Sequence, residues 1–159
     1  MISSNIEQNL AISRLCADIL ASNERILFVS FLNKNGNVIE LKFRHDGIIT
    51  KMSKAETEMF FMQRALQMSL GKEFDHLVSP LNYIAVNREI LLELIFPYSK
   101  GLILVACDLD VIPYYLAKKI LFILRNFDWG IPSFVYENAW WVLQKMRASF
   151  KKLSEMFYL

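Results

Sequence analysis

The chain has 159 residues, 54% of them apolar and 13% aromatic, and a formal charge of only +2. That length and composition fit one domain with a full core and exclude long disordered stretches, and the charge is too small for a nucleic-acid binder, which carries a denser basic footprint. Charges cancel from Met1 to Ser133, so the excess lies in the last segment, where Lys145, Arg147, Lys151 and Lys152 outnumber Glu137 and Glu155.

Ser4 and Glu7 form an S-x-x-E capping box, which predicts a first helix running to about Ser22. Ile6, Leu10, Ile12, Cys16, Ala17, Ile19 and Leu20 give it a broad apolar face. Ile26–Leu32 is apolar on both faces, as a strand covered on both sides must be. The segment Asn33-Lys34-Asn35-Gly36-Asn37 holds an Asn-Gly pair, whose easy positive φ suits a tight hairpin turn. Val38–Phe43 then alternates, with Ile39, Leu41 and Phe43 on one face, which predicts a half-exposed edge strand.

Ser53 and Glu56 repeat the capping box and open a helix to about Leu70, with Gly71 as its C-terminal cap. Met59, Met62, Leu66 and Leu70 line one stripe of this helix; Phe61, Ala65 and Met68 line nearly the opposite side. A surface helix needs one apolar stripe, so a helix with two is sandwiched: one stripe covers the sheet and the other meets a second surface.

Three strands follow, at Asn82–Val86, Glu89–Phe96 and Leu102–Leu109. They are joined by a turn at Asn87-Arg88 and by Pro97–Gly101, which carries turn residues at both ends. Asp110 and Pro113 start another helix, with Leu116, Ile120, Ile123 and Phe127 toward the core. Asp128–Pro132 breaks the chain. Beyond it Val135, Ala139, Val142, Met146, Phe150, Leu153 and Phe157 trace a long amphipathic helix, so the expected division is a domain over residues 1–128 and a helical extension over 129–159.

This order of elements resembles the roadblock (dynein light-chain roadblock) group and its longin and profilin-like relatives, over about Asn5 to Phe127. The likeness is carried by element order and by Ile26–Phe43, Ser53–Leu70 and Gly101–Asp110; the run Ala55–Gln63 is similar to archaeal proteins of this kind. The resemblance implies an α+β domain, a five-stranded antiparallel sheet in order 2-1-5-4-3 with helices on both faces. It also implies a homodimer that pairs its third strands and apposes its second helices. That places Phe61, Ala65, Met68, Tyr83, Ile84 and Ala85 at a dimer interface. The function it implies is an adaptor or regulator, often of a small Ras-like GTPase. The C-terminal helix departs from the minimal fold and can occupy a surface that other members leave open, which bears directly on the GTPase inference.

Chemistry-bearing residues are sparse. Zinc needs three or four suitably spaced ligands, and the chain offers only two distant histidines, His45 and His76, and two cysteines in apolar surroundings, Cys16 and Cys107. Asp108 and Asp110 fit a helix cap that meets the dipole of the next helix, with a magnesium site as the alternative. There is no phosphate-binding loop and no serine in a nucleophile elbow. The expectation is a protein that is not an enzyme and not itself a GTPase, with no cofactor and no metal. It is expected to be cytoplasmic, since Met1-Ile2-Ser3-Ser4 opens no secretory leader and no apolar run nears the roughly 20 residues that span a bilayer.

Trp140, Trp141, Met146, Phe150, Leu153 and Phe157 give the strongest interaction signal. Three readings stay open for this helix: packing on the domain's own sheet, a helix–helix contact within a dimer or larger assembly, or lying on an anionic membrane, which Glu137 and Glu155 disfavour. For the whole chain the leading reading is a homodimeric protein-binding adaptor. The alternative is a small-ligand sensor, in which some of the seven methionines and twelve phenylalanines line a pocket between sheet and helix.

Overall fold

The run Ile26–Asn33 is apolar at nearly every position, and the fold uses both of its faces. In the computed structural model, which describes residues 2–45, 47–98 and 101–127, it is strand β1, flanked by β2 (Val38–Phe43) and β5 (Gly101–Cys107). With β3 (Ile84–Asn87) and β4 (Leu92–Tyr98) it forms one antiparallel sheet in the order β2-β1-β5-β4-β3. Helices α1 (Ile2–Ala21) and α4 (Pro113–Asn126) lie on one face and α2 (Lys54–Gly71) on the other. The expected α+β class and strand order are both present.

Alternation along the central strands sorts their side chains into two cores. Val29, Phe31, Phe96, Ile103 and Val105 pack beneath α1 and α4 with Leu15, Ile19 and Ile120. Phe28, Leu32, Ile95, Leu102 and Leu104 pack beneath α2 with Phe61, Ala65 and Met68. The inward stripe of α4 is the expected one: Leu116, Ile120 and Ile123 are buried and Phe127 is partly so.

Several local expectations are corrected. Helix α1 begins at Ile2, so Ser4 has helical backbone and cannot cap it, a role that needs extended φ/ψ. The β1–β2 hairpin is present, but only Gly36 has positive φ, at 83°. A type I turn, with the Gly36 amide donating to the Asn33 carbonyl at 3.0 Å, runs into a left-handed glycine, in place of an Asn-Gly turn with both central residues at positive φ. A Cβ on Gly36 would lie 2.6 Å from the Met62 Cα, so the hairpin tip rests directly on the α2 backbone. Strand β2 is half-exposed as expected, yet a bulge between Phe31 and Leu32 takes Ile39 out of the Leu41–Phe43 stripe and sets it beside α1.

Gly71 ends α2 without a left-handed turn; the cap is Lys72 in right-handed helical conformation. A Cβ there would stand 2.9 Å from Leu81 Cδ2, the end of a side chain that can move aside. A one-turn helix α3 (Asp75–Val78) and a 3-10 turn at Ile48–Lys51 complete the described elements. The C-terminal segment that carries Trp140, Trp141, Met146, Phe150, Leu153 and Phe157 lies outside the described residues.

Candidate functional site

Helix α2 starts at a complete capping box. The Glu56 amide donates to Ser53 Oγ at 3.3 Å and the Ser53 amide to Glu56 Oε2 at 2.7 Å. The Ser53 backbone amide first, and the Ser53 side chain second, hold the Glu56 carboxyl below its ordinary range. From this fixed start the two apolar stripes fall on opposite sides. Phe61, Ala65 and Met68 are buried in the sheet-facing core, whereas Met59, Met62, Leu66 and Leu70 are 55–60% exposed. The first three therefore cannot be the outward face at which the resemblance placed them; the stripe that faces away from the sheet is the methionine–leucine one. Phe74 and Leu77, in and beside α3, extend the exposed apolar surface past the end of α2.

Strand β3 is the last in the sheet and pairs with β4 alone among the described residues. Its outer backbone edge is thus open, as edge strands are until something pairs with them. Tyr83, just before it, stacks toward Phe96 with ring centroids 5.8 Å apart, Ile84 turns toward the α2 core, and Ala85 is exposed. The side chains of Tyr83 and Ile84 serve the two cores, so what this strand offers a neighbour is its backbone and Ala85. The end of α2 sits close by: a Cβ at Gly71 would lie 3.3 Å from Ile84 Cδ1.

A buried ionic cluster fixes the angle between these two features. Glu93, wholly buried near the start of β4, accepts both arms of Arg64 from the sheet-facing side of α2, Nη2 to Oε1 at 2.9 Å and Nε to Oε2. Arg88, half exposed in the β3–β4 connection, donates a third bond to Glu93 Oε1 at 2.6 Å. Arg64 also lies 4.5 Å from the Phe60 ring centroid. One carboxylate so ties α2, β4 and the turn out of β3 together. The spacing reading passed over this cluster, although a lone glutamate inside Leu91-Leu92-Glu93-Leu94-Ile95-Phe96 was the available signal.

No protein-family model matches the sequence, and no curated protein does. Solved structures do match. A Roadblock/LC7 domain from Streptomyces avermitilis superimposes with TM-score 0.56 at 10% identity, covering 72% of this chain and 92% of that one. This chain has the roadblock/LC7 fold. Myxococcus xanthus MglB gives TM-score 0.58 at 13% identity, over 79% of this chain and 94% of its own. MglC from the same organism gives 0.51 at 11%, over 76% and 99%. Identities this low carry the fold and nothing finer.

On the other face of the roadblock sheet, α1 and the end of α4 stand apart over a groove of about 570 Å³, with Ile12, Phe31, Ile39, Tyr98 and Phe127 among its lining. It is the place where a pocket between sheet and helix would be. Among the described residues Phe31 and Phe127 line it and no methionine does. The wall formed by α1 is anchored at its C-terminus, where Arg44 donates to the carbonyls of Leu20, Asn23 and Ile26 and Lys119 of α4 donates to that of Ser22. Cations at these last carbonyls suit the negative end of the helix.

The remaining candidates from the sequence are dispersed. His45 and His76 are exposed and far apart in sequence, one in the loop after β2 and the other in the one-turn helix α3. Cys16 and Cys107 are both fully buried, and burial pushes each thiol up to about 12. Asp108 and Asp110 do not cap α4, whose N-cap is Ile112 with no side-chain bond. Both carboxylates pair instead with Arg25, at 3.3 and 3.4 Å, so a guanidinium sits where the alternative reading put magnesium. Among the described residues no three histidine, cysteine or acidic side chains converge, and no helix is long and apolar enough to cross a membrane.

Proposed function

We propose that this chain is a non-catalytic protein-interaction module, a homodimeric adaptor or regulator that acts on a small Ras-like GTPase. The observation that carries the dimer is the exposed Met59–Met62–Leu66–Leu70 stripe, which runs across the sheet to an end close to the open β3 edge. An apolar helix face and an unpaired strand on the same side of a sheet complement a second copy of themselves about a two-fold axis. Backbone pairing of the edges supplies register and the helix faces supply apolar burial. Ala85 and the backbone of Tyr83–Ile84 belong to this interface. Phe61, Ala65 and Met68 contribute only from behind, by seating the helix. The GTPase as partner class rests on the roadblock resemblance and on the lack of any phosphate-binding loop in the chain itself.

Size-exclusion chromatography with light scattering is expected to give about twice 18.6 kDa. A strictly monomeric mass at micromolar concentration would sink the dimer. For the partner, the immobilised protein is incubated with host lysate loaded with GDP or with a non-hydrolysable GTP analogue. Recovery of a small GTPase in one nucleotide state only is expected, and recovery in neither removes the GTPase from the proposal. A small-ligand sensor is the second reading, supported by the groove beneath α1. Native mass spectrometry of freshly purified protein separates the two, since a sensor carries bound small-molecule mass.

A further inference from the structure

The groove on the α1–α4 face holds about 570 Å³, a volume suited to a drug-sized molecule. Its floor comes from strand alternation, which sends Phe31 and Tyr98 to this side of the sheet. Their rings stand 6.2 Å apart and nearly perpendicular, at 85°, and Ile12 and Ile39 also line the groove. The row Asn33–Gly101–Tyr98 crosses β1, β5 and β4 at this end of the sheet. Its middle member adds no side chain, so an amide and a phenol ring stand either side of bare backbone.

Among the described residues no charged side chain lines the groove, and its polar ones are the amides of Gln8, Asn9 and Asn33 and the Tyr98 phenol. Such walls leave a charged ligand without compensation for its lost water, whereas a neutral one loses little. Asn33 narrows the class further. Its Oδ1 accepts from the Asn35 and Asn37 amides of the hairpin turn, at 2.9 and 3.0 Å. The turn thus fixes the side chain, and the Nδ2 amine is what Asn33 has to offer. A donor held in place this way selects a ligand with an acceptor.

We propose that this groove binds an uncharged aromatic molecule bearing a carbonyl or ring-nitrogen acceptor, its ring against Phe31 and Tyr98 and its acceptor at Asn33 Nδ2. This ligand class rests on the second reading above, the small-ligand sensor, and names what that sensor holds. The site lies across the sheet from the exposed stripe of α2, so a ligand here and a partner copy there do not compete.

Fluorescence titration of the full-length chain with prodan, an uncharged naphthalene ketone, tests this, with anilinonaphthalenesulfonate as an anionic counterpart. Expected is saturable, equimolar prodan binding with blue-shifted emission, weakened about tenfold or more in Ile39→Arg, in Ala11→Arg and in Asn33→Asp. Asn33→Asp keeps the acceptor that the turn needs and replaces the donor with a carboxylate. Leu66→Glu, on the other face, is expected to bind prodan as the native chain does, and the anion to bind the native chain about tenfold more weakly or worse. Circular dichroism melts show whether each variant is folded, and groove variants on two elements guard against one that is not. Prodan binding that is absent, that ignores Asn33→Asp, or that is lost in Leu66→Glu alone overturns the proposal. Anion binding as tight as that of prodan and abolished by Ile39→Arg overturns the neutral class while leaving the sensor. Neither dye at the groove, together with a native mass equal to that of the sequence, removes the sensor as well.

Discussion

Glu93 is the residue on which the interaction face depends, since it takes Arg64 from α2 and Arg88 from the β3 connection while wholly buried. Removing one member of such a pair leaves an uncompensated buried charge, at a cost of about 3–5 kcal/mol. Glu93→Gln keeps the shape and loses the charge, so a fall of that size in urea unfolding free energy is expected. Arg64→Met combined with Glu93→Leu removes both charges and is expected to recover much of the loss; a double variant no better than the single one would show that the cluster matters for packing and not for charge. The thiols give a second prediction at this scale. Burial raises Cys16 and Cys107 to about 12 from an ordinary value of 9.0. Below pH 9 both folded and unfolded thiols are protonated and their contribution to stability is complete. Above it the unfolded chain loses protons that the folded chain keeps, and stability falls until about pH 12. Unfolding midpoints compared at pH 8 and about pH 10 should drop more for the native chain than for Cys16→Ala/Cys107→Ala, and native protein should resist thiol reagents until denatured.

At the level of elements, the start of α2 was legible because a capping box is a local pattern with a local cause. Ser53→Ala is expected to cost about 1 kcal/mol near neutral pH. The Glu56 carboxyl is held below its ordinary range by Ser53, so its contribution is present above the unfolded carboxylate range and lost as pH falls through the folded value. Acid titration by circular dichroism should show the gap between native and Glu56→Gln closing below about pH 4; a gap that persists unchanged would place the cost elsewhere. The hairpin and the twin stripes of α2 were legible for the same reason, each resting on turn chemistry or periodicity, whereas the strand order came from the resemblance to the roadblock group. Which stripe faces inward was not. Arg64 shares a face with Phe61, Ala65 and Met68 and makes that face look like the solvent side, until Glu93 arrives from a strand much later in the chain. Likewise Ile39 matched the Leu41–Phe43 alternation, and only the bulge opposite Phe31 and Leu32 moves it to the other face. Pairings between distant segments decide such questions, and one segment's pattern does not contain them.

For the molecule as a whole, the proposed dimer uses only the outer face of α2 and the β3 edge, and the α1–α4 face takes no part in it. This division makes dimerisation separable from folding. Leu66 is 60% exposed in the single chain, so Leu66→Glu removes little from the monomer's own packing. Across a two-fold interface the same residue is buried in both copies, and a buried unpaired carboxylate there carries a desolvation cost of several kcal/mol, enough to weaken association by about a hundredfold or more. Linkage gives the readout. If folding and association are coupled, the thermal midpoint of the native chain rises with protein concentration, whereas that of Leu66→Glu is flat and equal to the native value extrapolated to high dilution. Glu58→Ala, an exposed change on the same helix away from the stripe, should keep the native slope. A native midpoint that does not depend on concentration, together with a Leu66→Glu midpoint that matches it throughout, would mean that the methionine–leucine stripe stays in water and that another surface must carry the protein's contacts.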